Sequence, residues 1–497
     1  MVYRGKPGLG CALCRKRRLT CDRRRPSCSQ CLRVQQECTG YWDPNTLRVQ
    51  NQTEEVTMKA RARATLSRKP ATTDRPTSPN SPVDILPPPI SDDGRAMSHV
   101  FTYYVGTVQD QGSLWYLPKL LTTNPSSALQ ATIKAVGVAS MARMHKLPKL
   151  RRAAVAEYGL ALRATNEALR DEVLAKSDST LGAVVLLSTY EMITSEAKSS
   201  EIMRSWMNHV QGATSLLELR GEEQLDSESG FELFTIVRLQ NALSGVFFRY
   251  SGHNSSRMKE LSRLARSKRD EHSLPIESLY TLLLDLNDLS LKIEKADYSV
   301  EALGSLLGEA LHLETDLRCW AMSLSPRWQY TVIKNSSLPS ENDVRFLVHG
   351  DSYHVYHDLT ISSMWNHYRQ TRIIVSQMIR SMALYICELR ESPECRQMVS
   401  EFTSTINQLV DDVCASVAYH FLFGTPWLTG AIRLSWPLLI SAICTENSAT
   451  HAWILQTFDT IAAMTGFQQP LGMLQRIRDG SIKGLIPGTQ RIIMQAS

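Results

Sequence analysis

The sequence predicts three parts: a small cysteine-stapled module, a disordered proline-rich linker and a large all-α domain. Three observations predict it. Residues 11–38 hold six cysteines in two copies of C-x2-C-x6-C, offset by seventeen positions. Seven prolines fall between Pro70 and Pro89 without apolar periodicity. From about Met97 onward, apolar residues recur at helical spacing and hairpin signals are almost absent. The expected boundaries are 1–40, 41–95 and 96–497.

The first of these elements is also the most charged. Net charge is +6 over 497 residues, yet residues 1–50 carry eleven Lys/Arg against three Asp/Glu, a net +8. Charge gathered at one end is the footprint of a partner that is a polyanion, nucleic acid above all. The start, MVYRGKPGLGCALC, has no apolar run of secretory-signal length, and no stretch reaches 18 uninterrupted apolar residues. The nearest, AIRLSWPLLISAIC at 431–444, contains Arg433 and Pro437. No membrane partner is expected, and the protein is placed in a reducing intracellular compartment. There, clustered cysteines argue for metal over disulfides. Cys319, Cys387, Cys395, Cys414 and Cys444 are scattered and read as ordinary thiols.

Six cysteines with no histidine before His99 leave eight ligand places to fill for two separate four-coordinate ions. The arithmetic closes if two thiolates bridge, giving two tetrahedral S4 sites, the soft donor set that zinc prefers. A segment this short of apolar residues needs such a staple to fold.

The pattern C-x2-C-x6-C-x6-C-x2-C-x6-C resembles the fungal binuclear zinc cluster (Zn(II)2Cys6) family of transcription factors. The resemblance implies two zinc ions held by Cys11, Cys14, Cys21, Cys28, Cys31 and Cys38, with Cys11 and Cys28 bridging. It also implies that the first helix enters the DNA major groove, usually over a CGG-like triplet. Matched onto CRKRRLTC, this puts Arg17 and Arg18 at base-reading positions and Arg15 and Lys16 near phosphates. Thr20 departs from the family's usual Lys or Arg before the third cysteine, removing a phosphate contact. Pro26 matches a family position in the loop between the halves. Arg23–Arg25 is compatible with a nuclear import signal, and the expected location is the nucleus. Leu47, Val49, Val56 and Met58 sustain no heptads, so no coiled-coil dimer is expected behind the cluster.

The linker includes KARARATLSRK at 59–69 as well as the proline run. Beyond it, AVAEYGLALRATNEALRDEVL at 154–174 places Val155, Tyr158, Leu162, Ala168 and Leu169 near one helical face. Asp178 and Ser179 mark a helix start before TLGAVVLL. The polar stretch at 250–275 reads as a loop or a seam between two helical halves, and helical patterns resume at 276–295, 299–322, 358–392, 399–422, 430–446 and 450–478. Residues 97–480, through SLWYLPKLL (113–121), WMNHVQGATSLLELRG (206–221) and WNHYRQTRIIV (365–375), resemble the fungal-specific transcription factor domain. That resemblance implies an all-α regulatory domain which in some relatives dimerises or binds a small-molecule effector.

Two side-chain constellations stand out in the helical region. Trp206, His209, Gly212, Leu216, Leu219 and Arg220 read as a packing motif before a ligand-pocket wall. His349, Asp351, His354, His357 and Asp358 look like metal donors but lack H-E-x-x-H and sit among aromatics. There is no G-x-x-x-x-G-K-[ST], G-x-S-x-G or strand-borne G-x-G-x-x-G, and Ser195-Glu196-Ala197-Lys198 stands without its companion motifs. An enzyme is therefore not expected. The expected function is a sequence-specific DNA-binding regulator of RNA polymerase II transcription, controlling one pathway or biosynthetic gene cluster. Its partners are double-stranded DNA, a second copy through the helical domain and a small-molecule effector. The alternative is a zinc-bound adaptor or nucleic-acid binder without sequence readout, which too few aromatics near the cysteines disfavour.

Overall fold

Periodic apolar spacing becomes helix almost throughout. A computed structural model describes residues 10–38, 91–106, 112–194, 200–248, 255–335, 347–390, 392–422 and 427–467, and singly 470 and 472. The chain divides into two compact units, residues 1–87 and 88–497. The first contains α1 (Ala12–Lys16) and α2 (Ser29–Arg33). The proline run expected as linker lies outside the described residues.

In the second unit, α3 (Asp92–Val100) passes into one π-helical turn, and α4 (Leu117–Thr123), α5 (Ser127–Met144), α6 (Pro148–Arg170) and α7 (Asp178–Thr194) follow. Next come α8 (Ser200–Arg220), α9 (Glu228–Phe248), α10 (Ser255–Lys268), α11 (Leu274–Lys295) and α12 (Val300–Met322). After a strand pair, β1 (Thr331–Lys334) and β2 (Ser352–Val355), the chain closes with α13 (Leu359–Leu389), α14 (Pro393–Ser416), α15 (Trp427–Cys444) and α16 (Ser448–Thr465). Short polar side chains set many of the starts by accepting backbone N–H bonds. Ser126 accepts from Leu129, Ser177 from Thr180, Ser299 from Ala302 and Asp358 from Ile361, at 2.9–3.2 Å. Each such cap is worth about 1 kcal/mol. Helix α14 begins at Pro393, earlier than its apolar pattern, because Ser392 caps it and a proline tolerates the first turn.

Helix α7 is the centre: every residue from Ser179 to Glu191 is buried, as a helix apolar all round must be. Helix α6 turns a different face inward than its larger side chains predict. Ala154, Ala161, Thr165 and Ala168 are buried, while Val155 is 67% exposed and Leu169 is also exposed. Small side chains let α6 approach closely, with Ala168 packing beside Ala128 of α5 and Ala183 of α7. The polar stretch expected as loop or seam contains α10, whose Met258, Leu261, Ser262 and Ala265 form a narrow buried stripe under charged neighbours. The strands were not legible at four residues each; they pair antiparallel from Thr331↔Val355 to Lys334↔Ser352.

Polar side chains inside the unit are tied together. Arg238 and Glu277 form an almost fully buried pair, Nη2–Oε2 2.7 Å, with the guanidinium 4.9 Å from the ring centres of Phe234 and Tyr280. On α13, Arg369 donates to Tyr356 Oη (2.6 Å) and Asn366 Oδ1 (3.1 Å) and lies 3.2 Å from His354 Nδ1. His354 thus belongs to a packed hydrogen-bond network. Burial, then the charge of Arg369, lowers its pKa to about 3.

Two glycines give opposite expectations. At Gly137 of α5 a Cβ would lie 2.3 Å from the Ala96 carbonyl oxygen, so the crossing with α3 requires its absence. At Gly304 of α12 a Cβ meets nothing within 4 Å. Gly137→Ala is expected to destabilise by about 1–3 kcal/mol and Gly304→Ala to stabilise by about 0.5–1 kcal/mol, read as melting shifts of opposite sign.

Candidate metal centre and nucleic-acid interface

The two halves of the cysteine module repeat in backbone detail. Cys11 precedes α1 and Cys28 precedes α2. Each five-residue helix ends in the same way: Leu19 N–H donates to Cys14 O (2.9 Å), and seventeen residues later Gln36 N–H donates to Cys31 O (3.1 Å). The intervening Arg18 and Gln35 are left-handed, with φ of 54° and 51°. This is the closure in which a left-handed residue lets the chain reach back over the last turn. The Arg25–Pro26 peptide between the halves is cis.

Among the described side chains of residues 10–38, those of Cys11, Cys14, Cys28 and Cys31 are buried, while Cys21 and Cys38 are half-buried. Leu19, Leu32 and Val34 are exposed. The sulfurs fall into two groups of four, Cys11/Cys14/Cys21/Cys28 and Cys11/Cys28/Cys31/Cys38, each within 4.8 Å. Cys11 and Cys28 belong to both. Sulfur separations are 3.8 Å for Cys11–Cys28, 3.6 Å for Cys11–Cys31 and 3.6 Å for Cys14–Cys28. A disulfide requires about 2.05 Å, whereas the edge of a tetrahedron with zinc–sulfur bonds of about 2.3 Å is about 3.8 Å. The donor set therefore fits zinc, in a number and spacing that suits two ions.

Thiols this close hold their protons when no cation is near. Burial, followed by the neighbouring Cys11 and Cys28 sulfurs, pushes Cys14 up to about 12, and Cys31 is raised for the same reasons. Cys21 moves down, chiefly because the Cys11 backbone N–H points at its sulfur. Asp22, which sequence reasoning passed over, links the halves. Its carboxylate accepts from the Ser29 hydroxyl (2.5 Å) and the Ser29 N–H (3.1 Å), and these bonds lower its pKa. The only sequence signal was an acid next to the third cysteine with a serine opening the second helix.

The basic residues stay in solvent. Lys16, Arg17 and Arg18 are exposed, as are Arg23, Arg24 and Arg25; the side chain of Arg15 lies outside the described residues. Because α1 stops at Lys16, Arg17 and Arg18 sit in the turn that closes it.

Residues 9–48 match the fungal Zn(2)-Cys(6) binuclear cluster domain, and residues 101–479 match the fungal specific transcription factor domain. The chain belongs to the fungal-specific transcription factor family. Its cluster domain binds two zinc ions. White-opaque regulator 2 of Candida albicans is 41% identical over 46 residues, 9% of this chain and 10% of that relative, so the chain spans about a tenth of the curated relative it matches. No solved structure matches. Both matched families are transcription-factor families.

In the helical unit, the constellation on α8 splits. Trp206 lines a large cavity, whereas His209, Gly212 and Leu216 line a smaller groove against α6. His209 Nε2 lies 2.9 Å from Tyr158 Oη, Leu219 is exposed, and Arg220 pairs with Asp178. Among the described residues, the cysteines form the groups with metal-holding geometry, and His349, Asp351, His354, His357 and Asp358 do not converge. Among those residues, no helix is long and apolar enough to cross a membrane.

Zinc must displace thiol protons, so affinity is expected to fall by about tenfold per pH unit for each proton displaced. The sign follows from the raised Cys14 and Cys31: acidification favours the protonated, metal-free cluster. A chromophoric chelator following zinc release against pH checks this; release independent of pH contradicts it.

Proposed function

We propose that this chain is a sequence-specific DNA-binding regulator of RNA polymerase II transcription, acting in the nucleus. The observation that carries the reading is the placement of the exposed Lys16, Arg17 and Arg18 at the end of a helix, and in the turn that closes it, next to two buried cysteines, Cys11 and Cys14. In this reading Cys11 and Cys28 bridge the two zinc ions, with Cys14, Cys21, Cys31 and Cys38 terminal. Zinc supplies folding energy to the module and takes no part in any reaction. The rigid turn then presents Arg17 and Arg18 to guanine O6 and N7 in a CGG-like triplet, with Arg15 and Lys16 on phosphates.

A short module reads few bases, so useful specificity comes from a second copy. Without heptads behind the cluster, the helical unit supplies that dimer contact. Sedimentation of the full chain at micromolar concentration is expected to show a dimer; a monomer both free and on DNA removes this part. A small-molecule effector held by the same unit regulates the chain, whose targets form one pathway or gene cluster.

The test uses Arg17→Ala and Arg18→Ala, each of which removes the guanidinium and keeps the Cβ that the native residue already carries, at φ 54° in the case of Arg18. Each is expected to lose about 1–3 kcal/mol of discrimination at one base pair, measured by competition between a CGG duplex and its single-base variants. Equal weakening on every duplex would make both residues phosphate contacts. Total binding should also weaken with salt, with a slope of about −0.9 per neutralised phosphate.

A further inference from the structure

Helix α6 carries an apolar edge that the described residues around it leave uncovered. Among the described residues of the second unit, twelve large apolar side chains are exposed, and six of them fall between residues 147 and 174. A cluster of that kind marks a contact surface, where scattered single residues would not. Val155, Leu162 and Leu169 repeat every seven residues, the spacing that keeps side chains on one edge of a helix. Val155 is 67% exposed, Leu169 is exposed and Leu162 is half-buried. Just past the helix end, Val173 and Leu174 are exposed as well.

A groove runs beside this edge. Leu162 and Leu169 of α6 line it on one side and Gly212 and Leu216 of α8 on the other, with the buried Val184 and Leu187 of α7 as its floor. Its volume is about 190 Å3. A Cβ on Gly212 would meet nothing within 4 Å, so the groove is open at that point. A helix with its side chains is about 10–12 Å across. The groove is too small to hold one and instead takes side chains projecting from a helix laid over it.

The charges of α6 give the direction of that helix. Lys149, Arg151 and Arg152 stand at its N-terminal end; Glu167, Arg170, Asp171 and Glu172 stand at and just past its C-terminal end, and all seven are exposed. Three cations thus face three acids and one cation along the same rod. A helix dipole favours the reverse order, acids first and cations last. A second α6 running antiparallel matches the observed order, because the basic end of each then meets the acidic end of the other. A parallel copy would set like charges together. The apolar repeat has the same symmetry. Val155 and Leu169 are each seven residues from Leu162, and Arg152 and Glu172 are each ten. A two-fold axis beside Leu162 therefore sets Val155 against Leu169 of the partner subunit and Arg152 against Glu172 of the partner subunit.

We propose that two copies of this chain pair through α6, antiparallel about Leu162, with Val155 of each seated in the other's α6–α8 groove. This pairing rests on the dimer reading given above and supplies its surface.

The test is sedimentation equilibrium of the full, zinc-loaded chain without DNA, at micromolar concentration. The wild-type chain is expected to be a dimer. Val155→Asp is expected to raise the dimer Kd by about tenfold or more, since it places a charge in each apolar groove. Because Val155 is exposed, its melting temperature is expected to stay unchanged. Arg152→Glu and Glu172→Arg, each alone, are expected to weaken the dimer by about tenfold, and the two together to restore it to within about threefold of wild type. If Val155→Asp lowers the melting temperature, the charge exchange decides alone. A dimer unchanged in Val155→Asp at wild-type melting temperature, or a double variant no tighter than the single ones, overturns this interface and leaves the dimer reading standing. A wild-type monomer overturns both and gives the α6 face to a different partner. None of these readouts involves DNA, so the DNA-reader account is tested apart from them.

Discussion

The sulfur cluster is the constraint on which the DNA-facing part of this protein rests. Among the described side chains from residue 10 to residue 38, the four that are buried are all cysteines. Leu19, Leu32 and Val34 face solvent, and Leu13 is half-buried against the cysteines. A segment built in this way has no hydrophobic term large enough to offset the entropy of ordering its chain. What replaces it is metal–sulfur bonding, which also organises the charge. With the sulfurs turned inward, Arg17, Arg18, Arg23, Arg24, Arg25 and Arg33 are left outside. The left-handed Arg18 and its counterpart Gln35 show the same constraint in the backbone, since both turns reach back over a helix that ends two residues beyond a buried cysteine.

The helical unit is held together by the opposite means. Helix α7 is buried along thirteen consecutive residues, Ser179 to Glu191; small residues allow close approach, Ala128 and Ala168 beside Ala183 of α7, and Gly137 of α5 against α3. Some of the charges that this packing traps are matched within the protein, by the Arg238–Glu277 ion pair and the Arg369 hydrogen-bond network. Such groups fix one arrangement of the helices, since removing one partner leaves a buried charge without compensation. The cavity between α7, α9, α13 and α15 stands out against this close packing.

Legibility in the sequence followed the range of the interactions. The cysteine module was readable because its information is local: six sulfurs at fixed spacing allow few solutions. The long helices were readable from apolar periodicity, and α11 and α12 begin and end within two residues of expectation. What failed was decided by distant neighbours. Helix α10 hides four inward residues among Arg257, Lys259, Glu260, Arg263 and Arg266, so its mean polarity reads as loop. The inward face of α6 follows from alanines that fit a crossing, against the expectation that Val155 and Leu169 would be buried. The β1–β2 pair joins two four-residue segments that periodicity cannot connect. In the module, Asp22 was missed because its partner, Ser29, is brought to it only by the fold.

In the proposed reading, a metal-folded pair of turns is the DNA-reading head, and the helical unit is the body behind it. The central claim is that the head reads sequence directly, through side chains that zinc holds in place. Selection from random duplex DNA with the full zinc-loaded chain tests it most directly. The account predicts enrichment of a CGG-like triplet, repeated at fixed spacing if the helical unit dimerises, and loss of that enrichment when a chelator removes zinc. A zinc-loaded chain that enriches no sequence would contradict it, leaving the cluster as a platform for binding without readout.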